Sequence, residues 1–228
     1  MTGRADQVEL KEDEEKRLLK NLFRPDEKHK QIVLHIAFSC YNHWLTGCSR
    51  DVVFLIDDTT SINPIEFQNI LYFLGNVINH LDIGPSATQV AMVTFDSGSH
   101  VQWYLNTHQN KTTLLSALHR VHPYGGNEHA ADALLFIESN ILVGSHGDRP
   151  SAPDVVLFLT DGHSVDGRLQ HAAQQLRAKS SDIVAIGVEQ ADMLDLVNIA
   201  TDRQHIINVR DFQSLLPVVS RVVSLICH

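Results

Sequence analysis

Asp51-Val-Val-Phe-Leu-Ile-Asp-Asp-Thr-Thr-Ser61 is the stretch whose reading decides the fold. Val52 to Ile56 is an unbroken apolar run, which suits a strand buried on both faces, as in a parallel sheet covered by helices. The run stops abruptly at Asp57, Asp58, Thr59, Thr60 and Ser61. Asn63-Pro64 follows, with proline at a first helical position, and then a long amphipathic segment. An oxygen-rich loop therefore sits between the end of a central strand and the start of a helix. Clustered oxygen donors of this kind suit a hard divalent cation.

Outward from that stretch, strand and helix patterns alternate. A helix is expected over 64–81, with Phe67, Ile70, Leu71, Leu74, Ile78 and Leu81 on one face. Residues 89–95 read as a second buried strand, turned by Asp96-Ser97-Gly98, and Val101–Leu105 as a short antiparallel edge strand. Lys111–Val121 and 129–142 read as helices around the loop Tyr124-Gly-Gly-Asn127. Residues 154–160 form a third buried strand that ends at Asp161-Gly162. A helix over 165–178, a strand over 183–188, a short helix over 191–200, a strand over 205–209 and a helix over 211–226 follow. This alternation predicts an α/β domain with a doubly wound, mostly parallel sheet. Ligands of such sheets bind beyond the carboxyl ends of the strands, where Asp57 and Asp161 both fall.

At 228 residues the chain holds one domain and an extra segment, divided here as 1–47 and 48–228. Residues 6–24 read as a charged amphipathic helix, closed by Arg24-Pro25. A net charge of −9 provides no basic field for phosphates, which argues against nucleic acid and anionic membrane as partners. No stretch reaches the ~18–20 apolar residues that span a bilayer. The fourteen histidines are scattered without zinc-ligand spacing. Nucleotide-binding and nucleophile-turn motifs are missing from the sequence, so a Mg²⁺-dependent enzyme on the same rim ranks behind a binding module.

The motifs Asp51-Val-Val-Phe-Leu-Ile-Asp57, Tyr124-Gly-Gly-Asn127 and Val156-Leu-Phe-Leu-Thr-Asp-Gly162 together resemble the von Willebrand factor type A domain. The resemblance runs from about Cys48 to Cys227, and the middle part is most similar to domains of matrilins and of collagens. It implies a Rossmann-like fold and a metal-ion-dependent adhesion site holding Mg²⁺ or Ca²⁺ through three loops. Asp57, Thr59 and Ser61 match the first loop and Asp161 matches the third. The second loop departs from the pattern. Glu128 stands where a threonine ligand is expected, and Ala130 replaces a second threonine. A carboxylate there brings the cation near charge balance and fills the position that a partner's acidic side chain would take. Three readings stay open: a structural cation, a cation that recruits ligand through another position, and a metal-free site. His129, His163 and Asp96 are further neighbours of the site, each with an ordinary reading as a loop residue. Trp44 and Trp103 read as packing residues.

The resemblance also implies an extracellular, non-enzymatic module that binds matrix or cell-surface proteins such as collagens. The alternative is a metal-free structural matrix domain. Cys48 and Cys227 flank the domain, and extracellular members of the family pair cysteines at these edges; the odd count, with Cys40, keeps two unrelated buried thiols as the alternative. Asn110-Lys111-Thr112 is an N-glycosylation sequon that acquires meaning in a secreted chain. Residues 1–23 do not resemble a secretory signal. Ile32–Phe38, preceded by Lys28-His29-Lys30, reads either as a signal core inside an over-long gene product or as a short element packed on the domain.

Overall fold

A computed structural model describes residues 48–162, 167–179 and 181–228. The expected N-terminal helix, Ile32–Phe38, Cys40, Trp44 and His163 lie outside the described residues. The strands are β1 (Asp51–Asp57), β2 (Gln89–Phe95), β3 (Ser99–Trp103), β4 (Asp154–Thr160), β5 (Asp182–Val188) and β6 (Ile206–Val209). They form one six-stranded sheet in the order β3-β2-β1-β4-β5-β6. Only β3 runs antiparallel. The expected doubly wound α/β architecture with one antiparallel edge strand is what the chain adopts.

The central position of β1 explains its unbroken hydrophobicity. Every β1 residue is buried, because β2 and β4 flank it and helices cover both faces. Side chains alternate across the pleat. Val52, Phe54 and Ile56 face α1 (Pro64–His80), α2 (Lys111–Leu118) and α6 (Val219–Cys227). Val53 and Leu55 face α3 (Ala130–Phe136), α4 (Leu169–Ala178) and α5 (Met193–Ile199). Leaving the sheet at Asp57, the chain enters α1 through a complete cap. Asn63 Oδ1 accepts from the Ile65 and Glu66 amides, and the Asn63 amide donates to Glu66 Oε2 at 2.8 Å. That cap sets where the first loop ends.

Three elements differ from expectation at their boundaries for identifiable reasons. The edge strand begins at Ser99, two residues early, because the Asp96–Gly98 turn is tight: the Gly98 amide donates to Asp96 Oδ1 at 2.9 Å. It stops at Trp103, because the Tyr104 amide is taken by Thr107 Oγ1. The helix expected over 129–142 is α-helical only to Phe136, then widens into a π turn closed by Leu142 N–H donating to Ile137 O at 3.0 Å. The helix expected over 211–226 starts as a 3₁₀ segment, Phe212–Val218, where Pro217 lacks the amide that α-helical bonding would use. Trp103 packs as expected, buried, with its indole N–H donating to Val90 O at 3.0 Å.

The pole of the sheet away from the first loop is fastened by charge and by a covalent bond. Cys48 and Cys227 form a disulfide across 179 residues. On the chain-entropy model such a loop closure stabilises by up to about 5 kcal/mol. Asp51 is fully buried and receives Arg149 through Nε at 2.9 Å, Nη2 at 2.7 Å and the backbone amide at 2.7 Å. Arg149 also donates to the carbonyls of Arg50, Pro85 and Ala87, so one guanidinium binds the starts of β1 and β2 to the 148–154 loop.

Candidate metal centre

Because β1 and β4 pair in parallel with Ile56 opposite Leu159, the residues that follow, Asp57 and Thr160, leave the sheet side by side. Thr160 Oγ1 donates to Asp57 Oδ2 at 2.6 Å. The Thr59 amide donates to Asp57 Oδ1 at 2.9 Å. Both oxygens of this fully buried carboxylate are therefore fixed. The Thr59 and Ser61 hydroxyls lie 2.9 Å apart, and Ser61 Oγ donates to Asp161 Oδ1 at 2.9 Å. A continuous chain of polar contacts thus links the first loop to the third.

The second loop is laid over the first by backbone bonds. The Gly125 amide donates to Asp58 O at 3.1 Å, the Tyr124 amide to Asp58 Oδ2 at 3.1 Å, and the Thr60 amide to Gly126 O at 3.2 Å. Gly125 has φ +79°, a left-handed conformation that glycine adopts without steric cost. This path delivers Glu128 to the third loop. Its carboxylate lies so close over Gly162 that an added Cβ there would run into Glu128 Oε2. Thr160's hydroxyl lowers Glu128 as it lowers Asp57, each against the rise from burial. Asp57, Thr59, Ser61, Glu128 and Asp161 are all brought to this one rim.

The electrostatics of the rim are those of crowded carboxylates. Burial pushes Asp57 up from its ordinary value, opposed by the bonds from Thr160 and Thr59 and reinforced by Asp58. Burial likewise raises Asp58 and Asp161, and Asp161 is raised further by Asp57. Glu128 is pushed up to about 8, first by burial and then by repulsion from Asp57, Asp195 and Asp161. Burial and neighbouring carboxylates are the causes that raise Asp57, Glu128 and Asp161. Two hydroxyls and three crowded carboxylates match the donor preference of a hard divalent cation. Such an ion would supply positive charge against these carboxylates.

Other sequence candidates take ordinary places. His129 is exposed and pairs with Asp132 at 3.8 Å. Asp96 forms its turn and also meets His100 Nε2 at 2.9 Å. The His100 ring stacks on Tyr124, with centroids 4.1 Å apart. Two participants escaped the sequence reading. Thr160 is recognisable only once β1 and β4 are known to be neighbours. Asp195 comes from the start of α5, which abuts the third loop through the Asp192 amide and Gly162 O at 3.3 Å.

A second acidic group, Asp51, Asp148 and Asp154, is the only trio among the described residues in which one carboxylate oxygen from each lies within 4.8 Å of the others. It sits where β1 and β4 begin, at the opposite pole from Asp57 and Asp161, and Arg149 already neutralises Asp51. It is separate from the rim.

The family model of the von Willebrand factor type A domain matches residues 51–221. Matrilin-1 of Bos taurus is 34% identical over 157 residues, covering 68% of this chain and 29% of that protein. The collagen alpha-1(XX) chain of Mus musculus is 33% identical over 197 residues, covering 84% of this chain and 14% of that one. The chain thus spans less than a third of either relative. Among solved structures, proximal thread matrix protein 1 from the mussel byssus superposes with a TM-score of 0.75 at 26% identity, covering 78% of this chain and 48% of that one. Another structure of that mussel protein has a zinc-occupied metal-ion-dependent adhesion site motif.

Proposed function

This chain belongs to the von Willebrand factor type A domain family, and from that premise we propose that it is an extracellular, non-enzymatic binding module of the matrix. It engages matrix or cell-surface proteins, collagens among them, through the rim at the carboxyl ends of β1 and β4. Asp57, Thr59, Ser61, Glu128 and Asp161 hold a divalent cation, Mg²⁺ or Ca²⁺, at that rim. The observation that carries the reading is the run of contacts from Asp57 through Thr59 and Ser61 to Asp161, which brings oxygens from separated loops together. The matrix proteins among the relatives support the location, and the Cys48–Cys227 bridge is of the kind that persists in oxidising compartments.

The protein's part in binding is to present a rigid, charged rim. The loops emerge from a buried parallel sheet, so their oxygens are positioned before any partner arrives. A cation held by Asp57, Thr59, Ser61, Glu128 and Asp161 would supply positive charge between the loops.

The test is solid-phase binding of the secreted chain to a panel of matrix proteins that includes fibrillar collagens, with Mg²⁺ or with chelator. Saturable binding that chelation removes supports the reading. Binding that ignores the chelator would assign the contact to a metal-independent surface, and the absence of any binding would favour a purely structural domain.

A further inference from the structure

Seven large apolar side chains are exposed among the described residues, and their placement is uneven. Ile65 (76% exposed), Leu194 (66%), Tyr124 (64%) and Met193 (47%) all lie on segments that adjoin the loops of the metal centre. Ile65 opens α1 immediately after the first loop, and Tyr124 is bonded to Asp58 through its amide. Met193 and Leu194 start α5, whose preceding residue, Asp192, is bonded to Gly162. Tyr72 and Val197 continue the same helix faces, seven residues beyond Ile65 and four beyond Met193. Exposed apolar groups that collect around a polar centre mark an interaction site, whereas scattered ones do not.

Charge decides what this collar receives. Asp57, Glu128 and Asp161 carry three negative charges when ionised, and Asp195 lies close enough to act on Glu128. Glu66, at the start of α1, acts on Asp161 in the same way. One divalent cation offsets two of these charges, so these carboxylates keep a net negative charge even when loaded. With a threonine at position 128 the loaded centre would be less negative by one charge and would accept a partner's carboxylate. With Glu128 an incoming carboxylate meets repulsion, and a basic side chain meets attraction.

We propose that this face docks a protein segment in which a lysine or arginine, flanked by aromatic or aliphatic residues, enters beside Glu128 while its apolar neighbours seat on Ile65, Tyr124, Met193 and Leu194. The inference rests on the reading that the rim is a cation-bearing binding site, and it reverses the sign of the side chain that site selects. Glu128 is thereby the specificity-determining residue. It occupies the place of the partner's carboxylate and turns the rim toward cationic partners.

The experiment is a selection from a random-peptide phage library on the immobilised full chain in millimolar Mg²⁺, run in parallel on Glu128→Thr. The wild-type chain should enrich peptides with Lys or Arg next to an apolar residue. The strongest of these should bind Leu194→Ser or Ile65→Ser about tenfold more weakly, the scale of losing one anchor in an interface. Glu128→Thr should shift the enriched peptides toward Asp and Glu. Enrichment of acidic peptides on the wild-type chain, no enrichment over a blank surface, or peptides indifferent to both apolar substitutions would each overturn the proposal. Mg²⁺ binding heat, measured on every variant, separates the two readings. Heat without basic-peptide enrichment sinks this inference alone, whereas loss of heat in the wild-type chain sinks the cation reading beneath it.

Discussion

Ser61 Oγ donates to Asp161 Oδ1 at 2.9 Å across 100 residues of sequence, and this bond joins the first loop of the rim to the third. Ser61 also lies 2.9 Å from the Thr59 hydroxyl, so one small side chain is shared between the two loops. Ser61→Ala should leave the fold intact, because the bond is solvent-exposed, and a net hydrogen bond contributes only about 1 kcal/mol. Its effect should appear in the cation response, with affinity falling roughly 10- to 100-fold, the range seen when groups that orient a metal site are removed. Calorimetric titration of the variant against the parent measures it.

Glu128 makes the cation-free protein sensitive to pH. Its folded-state pKa of about 8 exceeds the ordinary 4.5 because burial and then Asp57, Asp195 and Asp161 oppose its charge. Between those two values the folded state binds a proton that the unfolded state has lost, so stability must fall as pH rises through that window. Asp154 adds a slope of the same sign between 3.8 and about 7, because burial and then the charges of Asp148 and Asp51 raise it. In chelator, the thermal midpoint should therefore decline from pH 5 to pH 8. Glu128→Gln should flatten the upper part of that decline, and saturating Mg²⁺ should flatten it in the parent. A rising midpoint across the same range would be inconsistent with these shifts.

Arg149→Met should be strongly destabilising. Asp51 has no exposed surface, and Arg149 supplies it with two side-chain donors besides the backbone amide. Removing the guanidinium strands a buried charge, which costs about 3–5 kcal/mol. Urea denaturation should show a lower midpoint with an unchanged slope, and Asp51→Asn in the same background should recover part of the loss.

The disulfide and the sequon can be checked on secreted material. Cys48→Ser should cost about 2–5 kcal/mol, and the intact parent should gain the mass of two hydrogens on reduction. Asn110 caps α2 through Oδ1, which accepts from the Thr113 amide at 2.9 Å, and the residue is exposed. Asn110→Gln would lose both a glycan and the cap, the latter worth about 1 kcal/mol. Thr112→Ala removes the sequon alone. A glycosidase-sensitive gel shift that Thr112→Ala abolishes without lowering stability would identify the glycan.

Much of the architecture was legible because local pattern and tertiary position agree. Val52–Ile56 has no polar residue because β1 is covered on both faces, and the 3.6-residue stripe from Phe67 to Ile78 is the buried face of α1. The first-loop donors could be read because they are consecutive in sequence. Thr160 could not, since its role depends on a register of 103 residues between β1 and β4, which only strand order reveals. Asp195 was hidden for the same reason, lying on a helix that reaches the rim through a backbone bond to Gly162. Asp51 stands just before the apolar run Val52–Ile56, and its buried pair with Arg149 has no periodic signature. The π turn after Phe136 likewise leaves the hydrophobic spacing almost unchanged, so the pattern alone gave an uninterrupted helix.

The central claim is that oxygens from three loops share one divalent cation at the end of β1. Calorimetric titration of Mg²⁺ and of Ca²⁺ into the chelator-stripped chain, beside Asp57→Ala, tests it most directly. The account predicts saturable heat near one ion per chain with a higher thermal midpoint, and neither response in Asp57→Ala. Flat titrations with an unmoved midpoint for both ions in the parent would contradict it.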